Sequence, residues 1–300
     1  MASCAVAIGN FDGVHVGHRA LIDRARGFAP QLGTKTVALT FTPHPSAVLA
    51  PEHAPPMVAS LDRRLELLAA AGVDAVVVEP FTRELAALSA EAFIDDVVIR
   101  ALHARAIVVG YDFNYGRARC GTIETLAAHC ARTSIEHAVV APVEVDGEVA
   151  SSSKVRSYLR AGDLARAERL LGRRWDIDGT VVHGAKRGRA IGVPTANIAP
   201  DSDLVVAPGI YAVTLSVEGP GGYETPLPAV ASLGTNPTFV AQGGLVLEVH
   251  VLDWDGDLYD RHVRTTFVGR LRDEVHYDGI DALLVQIRRD IADARVLLAT

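Results

Sequence analysis

The stretch G-N-F-D-G-V-H-V-G-H at residues 9–18 decides the fold of the first half of the chain. The apolar residues 5–8 before it predict a buried strand, and the apolar residues 20–22 after it begin a helical period. His15 and His18 therefore lie on a strand-to-helix turn, where backbone N–H groups and the positive end of the helix dipole favour phosphate. Gly13 and Gly17 have no side chain, which lets a ligand approach the backbone closely.

The two histidines are three residues apart at the start of the predicted helix. This spacing places both imidazoles on one face, where they add hydrogen-bond donors to the turn. The stretch has neither the G-x-x-x-x-G-K-[ST] pattern of Walker phosphate loops nor the G-x-G-x-x-G pattern of dinucleotide-binding turns. It resembles the H-x-G-H signature of nucleotidyltransferases, which join a nucleoside monophosphate from ATP or CTP to an acceptor phosphate.

The composition is typical of a soluble globular protein of two domains, with 300 residues of which 49% are hydrophobic and 22% charged. A net charge of −7 gives no overall positive field to attract nucleic acid or an acidic membrane. Cys4, Cys120 and Cys130 have neither the C-x-x-C spacing of a zinc site nor the even number of a disulfide framework. Without a secretory signal or a membrane-length apolar run, the chain is predicted to be cytoplasmic.

Strand-like and helix-like segments alternate in the first half. The strand-like segments are residues 5–8, 36–41, 75–79, 106–110 and 137–141. This alternation predicts a parallel sheet covered by helices on both faces, with ligands beyond the carboxyl ends of the strands. Asp146-Gly147 predicts a hairpin turn, and residues 153–161 and 163–171 predict two short connecting helices.

Strand-like segments dominate from Trp175 onward. They are residues 179–183, 210–217, 229–233, 245–252 and 262–268. Their spacing predicts a small antiparallel β-barrel. The chain ends in an amphipathic helix expected to cover the barrel through Ile280, Leu283, Leu284, Ile287 and Ile291.

Further candidate residues in the first half follow predicted strands. His44, in F-T-P-H-P, is expected to face the same crevice as His15 or to be structural. In G-Y-D-F-N-Y-G at residues 110–116, aromatic rings would stack on a flat ligand and Asp112 would accept a hydrogen bond, or the aromatic residues fold back onto the core. S-S-S-K-V-R at residues 151–156 predicts a second polyphosphate site at a helix start, or a simple helix cap.

The second half contains its own set of candidates. Residues 184–192 are rich in glycine and cations, which suits a flap over phosphates or a solvated loop. Thr195 and Asn197 offer neutral oxygen ligands for Mg²⁺. Strand alternation places Glu248 and His250 on the face opposite Leu247, Val249 and Val251. Inside the barrel or at its mouth, Glu248 would be a general base for a hydroxyl acceptor; the remaining possibility is a carboxylate in solvent.

Both halves together resemble the prokaryotic bifunctional riboflavin kinase/FAD synthetase family over essentially the whole chain. The motifs of the first half are the H-x-G-H stretch, F-T-P-H-P, G-Y-D-F-N-Y-G and S-S-S-K-V-R. Those of the second half are G-R-A-I-G-V-P-T-A-N at residues 188–197, P-G-I-Y-A-V at 208–213, N-P-T-F at 236–239 and L-E-V-H-V at 247–251. The resemblance implies an α/β nucleotidyltransferase domain with a Rossmann-like parallel sheet over residues 1–155 and a helical linker over 156–174. A riboflavin kinase barrel with a C-terminal helix would follow over residues 175–300.

The resemblance implies two reactions that use ATP and Mg²⁺. Riboflavin would be phosphorylated to FMN with Glu248 as base and with Thr195 and Asn197 holding Mg²⁺. FMN would then receive AMP from ATP, with release of pyrophosphate and formation of FAD, while His15 and His18 stabilise charge on the phosphates. The remaining residues implied to bind ATP or flavin are Gly9, Asn10, Phe11, Asp12, Gly13, Gly17, His44, Asp112, Asn114, Ser152, Arg156, Gly184, Lys186, Arg189, Gly192, Pro194, Arg272 and Glu274.

Some positions depart from the family pattern, and two alternatives stay open. Thr42 replaces a common acidic residue, Asp260 replaces the usual glycine, and His276 begins an unusual pair. One alternative is a nucleotidyltransferase with another donor or acceptor, such as a cytidylyltransferase or a pantetheine-phosphate adenylyltransferase. The other is a flavin-binding regulator that has lost catalysis.

Overall fold

The computed structural model describes residues 3–184, residue 188, residues 191–235 and residues 245–299. The chain divides into two compact units: Met1–Pro56 with Leu61–Ser151, and Met57–Ser60 with Ser152–Thr300. Lys186, Arg189 and the N-P-T-F motif lie outside the described residues. Within the described part of the chain, no helix is long and apolar enough to cross a membrane.

The first unit is built on a five-stranded parallel sheet with the order β3-β2-β1-β4-β5, which confirms the predicted fold class. Its strands are β1 (Cys4–Ile8), β2 (Lys35–Thr42), β3 (Ala75–Pro80), β4 (Ala104–Gly110) and β5 (Glu136–Val140). The predicted hairpin is β6 (Glu144–Val145) with β7 (Glu148–Val149). From β1 the sheet extends to one side through β2 and β3, and the chain then returns to add β4 and β5 on the other side. The strand order therefore reverses between β1 and β4, where a crevice is expected at the carboxyl ends.

Helices cover both faces of this sheet. They are α1 (Val16–Leu32), α2 (Pro45–Leu49), α3 (Leu61–Ala70), α4 (Arg83–Ala87), α5 (Ala90–Ala92) and α6 (Ile123–Thr133). A π-helix, Phe93–Ala101, continues α5. Alternate residues of β1 enter different cores: Val6 and Ile8 pack in one cluster, whereas Ala5 and Ala7 pack in the other, against α1. A sheet buried on both faces explains the continuous apolar runs in the sequence.

The second unit contains a closed, six-stranded antiparallel barrel, in agreement with the predicted barrel. The helices α7 (Ser152–Ala161) and α8 (Leu164–Leu171) precede it. Its strands pair in the order β10-β12-β13-β9-β8-β14 and close through β14 on β10. They are β8 (Asp176–Val182), β9 (Ala196–Pro200), β10 (Gly209–Gly219), β12 (Leu227–Thr235), β13 (Leu245–Val251) and β14 (His262–Arg272); β11 (Gly222–Tyr223) forms a hairpin with β10.

The final helix, α9 (Ile280–Leu298), packs on the barrel strands β10, β12 and β14. The expected apolar contact is correct in part, because four of the five predicted residues are half-buried: Leu283, Leu284, Ile287 and Ile291. It is wrong for Ile280, which is 62% exposed at the first position of the helix. A polar contact adds to the attachment, since buried Asp290 receives two hydrogen bonds, of 2.9 and 2.7 Å, from the Arg272 guanidinium.

His262 on β14 contacts two carboxylates of the barrel unit, Asp201 after β9 and Glu218 on β10, and we call these three residues the His262 clamp. Nε2 of His262 lies 2.7 Å from Asp201 Oδ2 and its Nδ1 lies 2.8 Å from Glu218 Oε2. Only the protonated imidazole donates from both nitrogens. Partial burial lowers the pKa of His262, but the hydrogen bonds and charges of Asp201 and Glu218 outweigh it and raise the pKa above 6.5.

We expect the stability of the second unit to depend on pH through His262. Because the pKa of His262 is higher in the folded than in the unfolded state, its protonation stabilises the fold. This contribution is complete at pH values below the unfolded pKa and is lost as the pH rises through the folded pKa. Chemical denaturation between about pH 6 and about pH 8 should therefore show a falling free energy of unfolding. His262→Gln should flatten this dependence, whereas an unchanged slope in the variant would rule out the clamp as its source.

Candidate active sites

The turn after β1 has an uncommon backbone conformation that its buried side chains hold in place. Phe11, Gly13 and Val14 have φ angles of 51°, 75° and 43°, all in the left-handed region. Phe11 and Val14 are fully buried in the core against α1. Packing thus compensates for a conformation that residues with a Cβ rarely adopt. The turn places His15 directly before the first residue of α1.

His15 and His18 form a stacked pair, so the structure brings the two predicted histidines together. Their ring centroids are 3.6 Å apart and their planes differ by 20°. His15 caps α1, because its Nδ1 accepts the backbone N–H of His18 at 3.4 Å. With Nδ1 as acceptor, the proton of a neutral His15 is on Nε2.

Both imidazoles are neutral near neutral pH. Burial lowers the pKa of His15 to about 4. The pKa of His18 is also well below its usual value, because of burial first, then the neighbouring His15, then Arg64. Neutral rings present N–H groups, and no positive charge, to a bound phosphate.

Gly17 is needed for the position of His15. A Cβ at Gly17 would lie 3.0 Å from Cε1 and 3.1 Å from Nδ1 of the His15 ring. The sequence argument assigned Gly13 and Gly17 to close approach of a ligand. The structure adds other reasons, since Gly13 has a positive φ and Gly17 leaves room for the imidazole.

His44 lies beside the same turn. Its Nδ1 accepts the backbone N–H of Ser46 at 3.2 Å and thereby caps α2. Its Nε2 is 3.3 Å from the side-chain amide nitrogen of Asn10. Asn10 also receives, at its backbone carbonyl, the Thr40 hydroxyl at 3.1 Å. The ends of β1 and β2 thus hold His44 and the histidine turn together.

Arg64 on α3 is a residue of this region that the sequence argument missed. It is only 3% exposed, and its Nη1 donates to the Asn10 carbonyl at 2.8 Å. The spacing contains a signal, because Arg64 falls three residues after Leu61 and four before Leu68, so the three side chains share one face of a helix. An arginine at such a position is seldom buried without a reason.

The loop after β4 divides into exposed and buried parts. Asp112 and Asn114 are exposed, and the Asn114 side chain donates to the Asp112 carbonyl at 2.8 Å. Phe113 and Tyr115 stack with ring centroids 5.2 Å apart, and both pack on the core. The aromatic rings at 113 and 115 therefore fold back onto the core, which was the alternative stated for this segment.

Ser152 and Arg156 lie on α7, in the second unit. Ser152 is the first residue of α7. Arg156 donates from Nη2 to the hydroxyl of Ser153 at 3.2 Å. Their predicted role as a second phosphate clamp stays a prediction.

In the second unit, strand pairing brings Glu248 beside Asn197. Glu248 on β13 is the direct partner of Asn197 on β9 and of Ser232 on β12. Glu248 is half-buried, and its neighbours Leu247 and Val249 are buried on the other face of the strand. A Cβ at Gly184 would overlap the Asn197 amide, so the glycine leaves room for that side chain.

A cavity of about 320 Å³ begins at Ala196 and Val249, which flank this pair in sequence and lie on the opposite face of their strands from Asn197 and Glu248. Apolar residues of three barrel strands and the loop 254–259 line it, and Pro194 and Thr195 form part of its wall. His250, two residues after Glu248, lies 2.7 Å through Nδ1 from the Pro194 carbonyl, to which it donates. Sequence reasoning placed His250 on the face of Glu248 but missed this contact, which positions the start of P-T-A-N.

Arg272 and Glu274 both contact other parts of the barrel unit. Arg272 forms the paired hydrogen bonds to Asp290 described above and also donates from Nη1 to the Asp273 carbonyl at 2.9 Å. A Cβ at Gly234 would overlap the Glu274 carboxylate, which therefore packs directly on the backbone of β12. Their predicted roles in ligand binding stay predictions.

Two further positions of the second unit, Gly192 and Asp260, have positive φ angles. Gly192 has a φ of 78°, which favours glycine. Asp260 has a φ of 60°, which explains why glycine is usual there. Among the described residues, no group of three His, Cys, Asp or Glu side chains is arranged to bind a metal. The hydroxyl of Thr195 and the amide oxygen of Asn197 are nevertheless neutral oxygen ligands of the kind that Mg²⁺ takes together with phosphate oxygens and water.

Comparisons with known proteins match the two parts of the chain to two different family models. The FAD synthetase family model matches residues 1–154, and the riboflavin kinase family model matches residues 171–298. The chain belongs to the bifunctional riboflavin kinase/FMN adenylyltransferase family. The predicted family is thus confirmed, together with the prediction of an enzyme of flavin cofactor synthesis that uses ATP.

Relatives extend over nearly the whole chain. The bifunctional riboflavin kinase/FMN adenylyltransferase of Pseudomonas fluorescens is 38% identical over 99% of this chain and 93% of its own length. That of Escherichia coli strain K12 is 39% identical over 97% and 92%. A solved structure titled macrolide-efflux protein, from Streptococcus pneumoniae, superimposes with a TM-score of 0.87 at 32% identity, covering 98% of this chain and 94% of that one.

Gly17→Ala should impair adenylyl transfer while leaving phosphorylation of riboflavin intact. The added methyl group displaces the His15 ring by a few tenths of an ångström, and we expect about a tenfold loss of kcat for FAD formation from FMN. Steady-state rates of the two reactions on the same preparation provide the measurement.

Gly27→Ala is the matched control, because Gly27 lies on the same helix and a Cβ there meets nothing within 4 Å. It should leave both rates unchanged and stabilise α1 slightly through helix propensity. Equal rates for Gly17→Ala and Gly27→Ala would show that the His15 position is unimportant.

Proposed function

We propose that the second unit transfers the γ-phosphoryl group of ATP to the 5′-hydroxyl of riboflavin, giving FMN and ADP. The first unit would then transfer AMP from a second ATP to the FMN phosphate, giving FAD and pyrophosphate. The observation that carries this proposal is that each unit holds its own phosphate-handling group: stacked His15 and His18 in one, and paired Glu248 and Asn197 in the other. Each family model matches one of these segments.

In the proposed kinase reaction, Glu248 accepts the proton of the riboflavin hydroxyl as that oxygen attacks the γ-phosphorus. Thr195 and Asn197 would hold Mg²⁺, which neutralises charge on the phosphates when bound. We assign the cavity to the adenine ring of ATP, because Thr195, which would hold the phosphates through Mg²⁺, also lines the cavity. The cavity of about 320 Å³ is large enough for a purine.

In the proposed adenylyl transfer, an oxygen of the FMN phosphate attacks the α-phosphorus of ATP and pyrophosphate leaves. His15 and His18 donate hydrogen bonds to phosphate oxygens whose charge increases in the transition state. Neither ring needs to act as nucleophile or proton carrier, because positioning and charge stabilisation suffice for phosphoryl-type transfer. Their low pKa values agree with the role of neutral donors.

The experiment that tests the proposal is chromatography of the products formed from riboflavin, excess ATP and Mg²⁺ by the pure protein. FAD that appears through FMN would support both reactions. FMN alone would support only the kinase reaction, and supplied FMN with CTP would then test another donor. No flavin product from either riboflavin or FMN would contradict the proposal.

Two substitutions should separate the reactions. Glu248→Gln should lower FMN formation by about 10²–10⁴-fold, because the base is removed, and should leave conversion of supplied FMN to FAD intact. His18→Ala should do the reverse, with a loss of about 10²–10³-fold in FAD formation.

Exposed residues of the same types serve as controls. Glu224→Gln and His53→Ala should leave both rates unchanged, since Glu224 and His53 are exposed and lie outside both proposed sites. If Glu248→Gln or His18→Ala abolished both reactions in a folded protein, the division into two sites would be wrong.

A further inference from the structure

A buried arginine of α3, Arg64, contacts the histidine turn at the carbonyl of Asn10. Arg64 is 3% exposed, on the face of α3 that packs towards the sheet. Burying a guanidinium is unfavourable unless its donors are satisfied and its charge is used or compensated. The hydrogen bonds of Arg64 and the charges around it therefore indicate its role.

The guanidinium joins the ends of two neighbouring strands. Nη1 donates to the carbonyl of Asn10, just after β1, at 2.8 Å, and Nη2 donates to the carbonyl of Phe41, near the end of β2, at 3.4 Å. The planar fork of arginine can bridge two acceptors in this way, whereas a lysine ammonium is a single point charge. Asn10 begins the histidine turn, so this bridge helps to define where the turn starts.

The charge of Arg64 also acts on the histidine pair. Burial lowers the pKa of Arg64, and Asp12 partly opposes this effect. The two hydrogen bonds to Asn10 and Phe41 go to neutral carbonyl oxygens. Nε of Arg64 and Nδ1 of His18 are buried without a hydrogen-bond partner in the described part of the chain. Unsatisfied buried polar atoms are uncommon in folded proteins and are frequent where a ligand or water completes the site.

We propose that Arg64 is a positioning residue for adenylyl transfer, which bridges the ends of β1 and β2 and supplies a fixed positive charge beneath the triphosphate. This inference rests on the proposed function of the first unit. It follows from the neutrality of His15 and His18, which offer hydrogen bonds but no charge to an anionic substrate. The bridge sets the geometry of the turn, and the charge raises the affinity for ATP.

Two substitutions separate these contributions. Arg64→Lys keeps the charge but cannot bridge both carbonyls, so we expect kcat for FAD formation from FMN to fall about tenfold with KM for ATP within about twofold. Arg64→Met removes both contributions, so kcat should fall about 100-fold and KM for ATP should rise about tenfold. Riboflavin phosphorylation by the same preparations should stay within about twofold of wild type.

Arg100→Met is the matched control, since Arg100 is an exposed arginine of the same unit that precedes the amino end of β4, whereas Arg64 contacts residues at the carboxyl ends of β1 and β2. A merely structural role for Arg64 would lower kcat in proportion to the lost folded protein and leave KM for ATP unchanged. That result for Arg64→Met, or a kcat for Arg64→Lys within twofold of wild type, would overturn the inference. Should Arg64→Met not fold, Arg64→Lys alone decides.

Failure of the proposed function is distinguishable from failure of this inference. If the wild-type protein forms no FAD from FMN and ATP, the proposed reaction is wrong. Calorimetric titration with ATP then decides on Arg64. A weakening of one ATP-binding event in Arg64→Met, with no change in Arg100→Met, supports the fixed charge beneath a triphosphate; unchanged binding overturns it.

Discussion

The buried left-handed turn between β1 and α1 is the constraint on which the chemistry of the first unit depends. Phe11 and Val14 adopt positive φ angles because their side chains fill the core against α1. This packing fixes the start of α1, and therefore the position from which His15 caps the helix and stacks on His18. Burial also makes the pair neutral. The packing of Phe11 and Val14 thus sets the geometry of the site, and burial of the imidazoles sets its charge state.

Closure of the barrel has the corresponding role in the second unit. Asn197 and Glu248 are far apart in sequence, and they become direct neighbours only because β9 inserts between β8 and β13. His250 then ties the segment before β9 through the Pro194 carbonyl. Pro194 and Thr195 also line the cavity, so this segment connects the paired carboxylate and amide with the apolar pocket on the other face of the strands.

Sequence reasoning succeeded where the pattern is local. The alternation of strands and helices predicted the parallel sheet, and the H-x-G-H spacing predicted two imidazoles on one face. Strand β9 was missed, because prolines flank it and Asn197 has low strand propensity. Arg64 was missed because the partners of a helical arginine, the carbonyls of Asn10 and Phe41, depend on how α3 packs against the sheet. Ile280 was assigned to the barrel contact, although helical periodicity cannot tell where along a helix the contact begins.

The two units use charge in opposite ways, and the difference follows from the proposed reactions. Adenylyl transfer to a phosphate begins with a nucleophile that is already ionised, so it needs no base, and neutral imidazoles above a buried arginine stabilise added negative charge. Phosphorylation of a hydroxyl must remove a proton, so it needs a carboxylate that stays half-buried and accessible beside neutral oxygen ligands. If His15 or His18 titrated near neutral pH, the first site would carry a charge that depends on pH. A neutral residue at Glu248 would leave the second site without an acceptor for the proton.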